Sequence, residues 1–197
     1  MFRTVRFILL FCLFPLSLLS LRGALPELSS IEPIEYDEAS QKLVARGEAR
    51  LEIDDSRLQA DQITYYQELG LADAEGTIEL NRDGYRLLAD RLSYDSEKEI
   101  FSVSDFRSGR WPYYLEGTSA GGTTEDVSVE GGTLYYGNPG PFSVNVQADK
   151  VDYTSADGGE VRLEKTTFRV GKVPFFHLPA YTQSLNQPPY YLQADGG

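Results

Sequence analysis

Residues 58–65 read LQADQITY, and residues 87–94 read LLADRLSY. These segments lie 29 positions apart, and the segments that precede them, from Leu43 and from Ala72 onward, align at the same spacing without a gap. A repeat of this length is typical of stacked supersecondary units, none of which can bury its apolar face alone. The chain is therefore predicted to be built from units of about 29 residues.

Each unit has the alternating pattern of a half-buried β-strand. Residues 43–53 read LVARGEARLEI, in which the odd positions are apolar or small and the even positions are mostly charged. This period of two residues indicates a strand with one face toward the core. Polar turn sequences follow at Asp54-Asp55-Ser56 and Arg82-Asp83-Gly84. Since Asp-Gly is a strong hairpin signal, the neighbouring strands are predicted to be antiparallel.

In the returning strand of each unit, the alternation of apolar and polar residues shifts by one position. Leu58 and Ala60 are apolar at even positions, whereas Ile63 and Tyr65 are apolar at odd positions. A bulge or sharp bend near Asp61, and near Asp90 in the second copy, would absorb this change and fold the sheet over itself. The same motif returns at Ala148, 88 positions after Ala60. These features predict an all-β protein with a folded antiparallel sheet. A closed parallel β-helix is the competing architecture.

The first residues have the composition of a targeting segment. Arg3 and Arg6 precede an apolar run from Phe7 to Leu21, which indicates a secretory signal peptide over residues 1–24, with a retained membrane anchor as the alternative. A leader over residues 25–33, one β-domain over 34–185 and a tail over 186–197 complete the predicted organisation. The tail is expected to be disordered or to begin a barrel.

Charge and cysteine content exclude several classes of function. The formal net charge is −12, and loss of the three arginines in residues 1–24 would make it −15. Nucleic acid is an unsuitable partner for such a chain, because phosphate binding needs a basic surface. The same balance argues against electrostatic adhesion to anionic lipid. Cys12 is the one cysteine, so the mature chain is expected to have neither disulfides nor thiolate metal ligands.

No arrangement of residues predicts catalysis. His177 lies between Phe176 and Leu178, and no sequence neighbour has the pattern of a catalytic partner. The recurring Asp61, Asp90 and Asp149 occur singly, without the density of carboxylates that a hard cation requires. They are better explained as acceptors of backbone N–H groups at a bend. We therefore expect no enzymatic activity, no cofactor and no metal.

Two segments resemble a known family. The repeated Ala-Asp motif followed by small-residue strands, as in Ala72-Asp73-Ala74-Glu75-Gly76-Thr77-Ile78, resembles the OstA-like (organic solvent tolerance) domain of the lipopolysaccharide transport machinery. Residues 168–181, which read FRVGKVPFFHLPAY, are similar to the end of the periplasmic domain in the outer-membrane lipopolysaccharide-assembly proteins of that family. The resemblance covers about residues 34–181.

The resemblance implies a sheet folded lengthwise into an open β-jellyroll. It also implies that this non-enzymatic domain carries the acyl chains of lipopolysaccharide in an apolar trough, in the periplasm or at the outer membrane. Strand parity then indicates which side chains are expected to line the trough. The alternative is that these side chains pack against one another in a closed core. The trough candidates are Leu43, Ala45, Ala49, Leu51, Ile53, Leu58, Ile78, Leu80 and Leu87.

The resemblance also implies partners. Unpaired edge strands of a folded sheet can add to other OstA-like domains of a periplasmic bridge, and the strand near Leu43 to Ile53 is predicted to be the docking edge. An outer-membrane barrel is a further possible partner. The alternative function is a β-helix-type cell-surface protein that binds or cleaves carbohydrate, which would need two carboxylates facing each other across a cleft.

Overall fold

The computed structural model describes residues 27–53, 56–82, 84–123, 125–156 and 159–184. The predicted signal peptide and the whole of the predicted tail lie outside these ranges. Within them, no helix is long and apolar enough to cross a bilayer.

The described residues form one sheet of 12 strands, so the all-β prediction is confirmed. Within the described ranges the strands follow one another with short connections. Their bounds are β1 (Glu27–Ser29), β2 (Glu35–Asp37), β3 (Lys42–Ile53), β4 (Ser56–Tyr66), β5 (Leu71–Arg82), β6 (Tyr85–Asp95), β7 (Ile100–Arg110), β8 (Tyr113–Gly122), β9 (Asp126–Tyr136), β10 (Val144–Thr154), β11 (Glu160–Val170) and β12 (Val173–Ser184).

From β3 to β12 each strand pairs with the next strand of the chain, and each pair is antiparallel. Leu51 on β3 lies opposite Leu58 on β4, which is the pairing expected of a hairpin. The parallel β-helix is therefore excluded, and the predicted antiparallel neighbours are confirmed.

The segment expected to be a leader is part of the sheet. Strands β1 and β2 both pair with β3, so that Leu28 lies opposite Leu51 and Tyr36 opposite Leu43. Between them the Ile31 N–H donates to the Gly47 carbonyl at 2.9 Å. The prediction that β3 is an open docking edge is wrong, because residues 27–37 occupy that edge over most of its length.

The sheet bends where the phase change predicted a bend. The strand register shifts at this point, because β3 and β5 each have one more residue there than β4. The extra residues lie at Gly47–Glu48 on β3 and at Gly76 on β5, across from Asp61, where the bend was predicted. Asp61 accepts the backbone N–H of Thr77 at 2.9 Å, which confirms its expected role. Gly76 has φ +94°, and an added Cβ there would clash with the Asp61 side chain. Glycine at this position thus permits both the backbone conformation and the close approach of the two strands.

The bend continues across the whole sheet. Every second strand from β3 to β11 has a residue with positive φ at the equivalent position, and these residues are Gly47, Glu48, Gly76, Asp105, Gly131 and Lys165. At the last of them, Lys165 forms an ion pair with Asp149 at 2.9 Å. The single sheet is therefore folded lengthwise into two layers. Layer A contains the strand halves joined by turns 67–70 and 96–99, and layer B contains the halves joined by turns 111–112, 137–143 and 171–172.

Candidate functional site

The space between the two layers is lined by two rows of inward-facing side chains. Residues directly opposed on neighbouring strands share a face of the sheet, so the strand register defines each row. The layer A row crosses ten strands without a charged residue. Its members are Ala45, Ile63, Ala74, Leu92, Val103, Ala120, Val129, Val151, Leu163 and Tyr181.

The layer B row faces it from the other half of the strands. It begins at Leu28 on β1, and Ser108 is its one non-hydrophobic member. The remaining members are Leu51, Leu58, Leu80, Leu87, Leu115, Leu134, Val146, Phe168 and Phe176. Since strands are spaced by about 4.8 Å, each row is on the order of 40 Å long. The interior is thus a continuous apolar strip as wide as the sheet.

Most of the trough candidates lie in this interior. Leu43 is half-buried, and the side chain of Ile53 lies outside the described part of the structure. All other candidates belong to the buried cluster, namely Ala45, Ala49, Leu51, Leu58, Ile78, Leu80 and Leu87. Strand parity therefore selected inward-facing residues correctly, whereas their binding of lipid stays a prediction.

Between β3 and β6 the interior is closed. A cavity of about 20 Å³ lies there, lined by residues of both layers, including Leu58 and Leu80 from layer B and Ala74 and Leu92 from layer A. A cavity of this size holds about one water molecule. An acyl chain could enter this part of the interior only if the two layers moved apart.

The interior opens toward the last strand. Phe176 on β12 is an inward-facing member of the layer B row, yet it is 52 % exposed. By contrast, Leu58 in the same row is 6 % exposed. The difference arises because β12 has a neighbour on one side only among the described residues, so its inward side chains are not covered by a following strand.

The two rows carry no ionised group at neutral pH. Tyr94 lines the small cavity, and burial raises the pKa of its phenol, with Glu99 and Asp95 adding to the effect. Its hydroxyl is therefore neutral at pH 7. Charged inward residues lie beyond the layer B row, at its turn end, where Arg82 shares a face with Ser56 and Arg110 lies over the Tyr85 ring. Rows without charges are suited to hydrocarbon rather than to a polar ligand.

The groups considered for catalysis are dispersed. The His177 side chain is exposed on β12, and its Nδ1 lies 3.2 Å from the Thr167 hydroxyl. Asp61, Asp90 and Asp149 are exposed along the outer side of the bend. Among the described residues, no group of three His, Cys, Asp or Glu side chains is placed to hold a metal ion.

Two features of the site had no clear signal in the strand pattern of the first repeat. The layer A row is defined by the pairing register of ten strands. The alternation of apolar and polar residues within one strand does not predict that register. The opening at β12 depends on which strand is last, and residues 173–184 contain adjacent apolar residues and two prolines instead of a clean alternation. The prolines at 174 and 179 are themselves typical of an edge strand.

The architecture is the folded antiparallel sheet that the resemblance to OstA-like domains implies. Comparison with curated proteins finds similarity to the LPS-assembly protein LptD of Cupriavidus necator, with 27% identity over 159 aligned positions that cover 71% of this chain. This match confirms the resemblance drawn from the repeat and from residues 168–181. It covers 19% of the relative, so the chain spans about a fifth of that protein's length.

No protein-family model matches the chain. Among solved structures, the chain is similar to LptH from Pseudomonas aeruginosa, described as the LptA-homologous periplasmic component of the conserved lipopolysaccharide transport device. The superposition has a TM-score of 0.47 at 13% identity and covers 53% of this chain and 80% of LptH.

Proposed function

We propose that this domain is a non-enzymatic component of lipopolysaccharide transport and outer-membrane assembly, and that it holds lipopolysaccharide acyl chains between its two layers. The continuous apolar strip between the layers is the observation that carries the proposal. Similarity to an LPS-assembly protein supports it, because that relative is named for the same process. The periplasm or the periplasmic face of the outer membrane is the corresponding location.

The connection between the layers makes loading feasible. All strand pairs among the described residues run along the folded sheet, so the layers are joined covalently and by hydrogen bonds at the bend, and elsewhere by apolar contact. Acyl chains that enter between them replace protein–protein apolar contacts with protein–lipid contacts of the same kind. Burial of the chains contributes about 25 cal/mol per Å², which favours loading without a basic patch.

The exposed inward side chains near β12 define the entrance. Phe176 and Tyr181 lie at the ends of the two rows and are less covered than their counterparts on β4. An acyl chain placed against them would continue into the interior along the rows. The layers then need to separate progressively toward β3 rather than all at once.

The acyl chains are expected to dominate binding, and competition against fluorescent lipopolysaccharide tests this. We expect unlabelled lipopolysaccharide to compete and the polysaccharide freed of its acyl chains to compete more than about 100-fold less well, since each buried methylene contributes about 0.8 kcal/mol. Equal competition by the deacylated polysaccharide would contradict the proposal and favour a carbohydrate-binding protein instead.

We further propose that β12 is the edge that docks to another OstA-like domain. It is 12 residues long, and among the described strands it pairs with β11 alone. An extended edge of this kind can accept a strand from a second protein. The opposite edge is made by β1 and β2, which are three residues each.

Paired proline substitutions test this docking edge. Successive residues of a strand direct their N–H groups to opposite sides, so of Thr182→Pro and Gln183→Pro one removes an amide facing β11 and the other an amide facing outward. We expect the variant that loses the outward-facing amide to keep its thermal midpoint nearly unchanged. The same variant should bind a purified OstA-like bridge protein at least about tenfold more weakly. If the variant with the unchanged midpoint binds like the wild type, the interface lies elsewhere.

A further inference from the structure

Large exposed hydrophobic side chains are concentrated at one corner of the molecule. They lie on the turns of layer B that join the last six strands, and on the adjoining strand ends. We call this surface the aromatic corner, and it consists of Trp111, Tyr136, Phe142, Val144, Val170, Val173, Phe175 and Phe176.

Hydrogen bonds connect the three turns of this corner into one surface. The Gly137 N–H donates to the Pro112 carbonyl at 2.7 Å, and the Gly171 N–H donates to the Ser143 carbonyl at 2.8 Å. The Tyr113 and Tyr136 rings are also in contact, with their centroids 5.4 Å apart. The turns therefore present their exposed side chains side by side instead of as separate flexible tips.

The charge of the corner is opposite to that of the chain. The three segments that form it, residues 109–115, 134–147 and 168–179, contain Arg110, Arg169 and Lys172 but no aspartate or glutamate. The whole chain has 30 acidic and 18 basic residues. Arg110 is held near the corner by its position over the Tyr85 ring, 5.5 Å from the centroid.

Tip residues of the corner are far more exposed than is usual for their type. Phe142 is 84 % exposed and Trp111 is 71 % exposed. The other large exposed hydrophobics of the described residues lie away from this corner, on residues 31–36 and on the layer A turns, as with Leu69 and Ile100. A contiguous patch of this kind marks an interaction surface.

From this combination we infer that the aromatic corner lies against the surface of an anionic lipid bilayer. Tryptophan, tyrosine and phenylalanine are favoured at the headgroup level of membranes, and lysine and arginine beside them are attracted to anionic headgroups. Charge alone does not distinguish a bilayer from the acidic surface of a second copy, whereas the exposed tryptophan, tyrosine and phenylalanine side chains favour the bilayer. The inference is tested apart from acyl-chain transport, since Trp111, Phe142 and Lys172 lie on or beside the turns, and of the corner residues Phe176 also belongs to the interior rows.

The single tryptophan of the chain makes the inference directly measurable. Tryptophan emission reports on Trp111 alone, wherever else the protein touches a membrane. With the full chain and vesicles of phosphatidylglycerol and phosphatidylethanolamine, free of lipopolysaccharide, we expect the emission to shift to the blue and to be quenched by lipids brominated near the headgroup. Vesicles of phosphatidylcholine should produce a much smaller shift.

Substitutions at the corner separate this contact from other membrane binding. Phe142→Ser and Lys172→Glu should each raise the lipid concentration needed for half of the emission shift about tenfold or more. Leu69→Ser removes an apolar side chain that is 59 % exposed on a layer A turn, so it is the matched control and should leave the shift unchanged. All three sites are exposed, and unchanged thermal midpoints would show that the variants fold.

Three results would overturn the inference. One is the absence of a blue shift with anionic vesicles. Another is an equal loss in the Leu69→Ser control. The third is a shift that requires lipopolysaccharide in the vesicles, which would make the corner an extension of the carrier interior. None of these results affects the competition experiment with deacylated polysaccharide, so the inference and the proposed function can fail separately.

Discussion

Leu87→Asp is expected to prevent the domain from folding. Leu87 is 2 % exposed and lies in the layer B row between Leu80 and Ser108. The substitution removes a buried aliphatic side chain and places a carboxylate between the apolar and uncharged members of the layer B row, at a combined cost of ~5 kcal/mol or more. Because domains are stable by about 5–15 kcal/mol, most of the protein should be unfolded, and circular dichroism during denaturant titration measures this.

The neighbouring residue supplies the control. Leu88 has the same side chain on the same strand, but it faces outward, between Glu79 and Arg107 on the adjacent strands. Leu88→Asp should therefore give a folded protein whose denaturation midpoint is close to that of the wild type. Similar behaviour of the two variants would contradict the assignment of the inner and outer faces.

A charge at Leu51 distinguishes an open trough from a closed interior. In an open trough, a carboxylate at Leu51 would be solvated and the protein would fold. The structure places Leu51 at 6 % exposure beside a cavity that holds about one water. We therefore expect Leu51→Asp to be strongly destabilising as well, since the interior near β3 is closed when no lipid is present.

The repeat predicted the architecture because its signals are local. Alternation over residues 43–53 and the hairpin turns define strands and their antiparallel neighbours, and the parity change around Asp61 defines the bend. Each of these depends on contacts within one unit or between adjacent units. The structure places the bend at the predicted position, with the extra residues on the partner strands at Gly47 and Gly76.

The edges of the sheet could not be predicted in the same way. Residues 27–37 contain a proline and short apolar stretches, so nothing in their pattern distinguishes a leader from two short strands. Their pairing with β3 depends on a long strand already being present to receive them. As a result, the sequence indicated the wrong open edge.

Local charge could not be predicted from the composition. The net charge of −12 argues against electrostatic adhesion to anionic lipid. The fold nevertheless brings together Arg110, Arg169 and Lys172 from two hairpins that are about 60 residues apart in the chain. A small basic surface in an acidic chain becomes visible only when the strand order is known.

The central claim is that acyl chains lie between the layers, and site-specific photo-crosslinking to lipopolysaccharide tests it most directly. An aromatic photo-crosslinker at Tyr181 would sit at the entrance of the layer A row, and one at Leu80 would sit inside the layer B row. Thr182 and Glu79 are the matched outward neighbours on the same strands. In variants that remain folded, we predict capture of lipopolysaccharide at least about tenfold stronger from the two inward positions than from the outward ones, because photo-crosslinking requires direct contact with the acyl chains that the apolar rows bury. Equal capture from Tyr181 and Thr182, or capture from the outward positions alone, would contradict the claim.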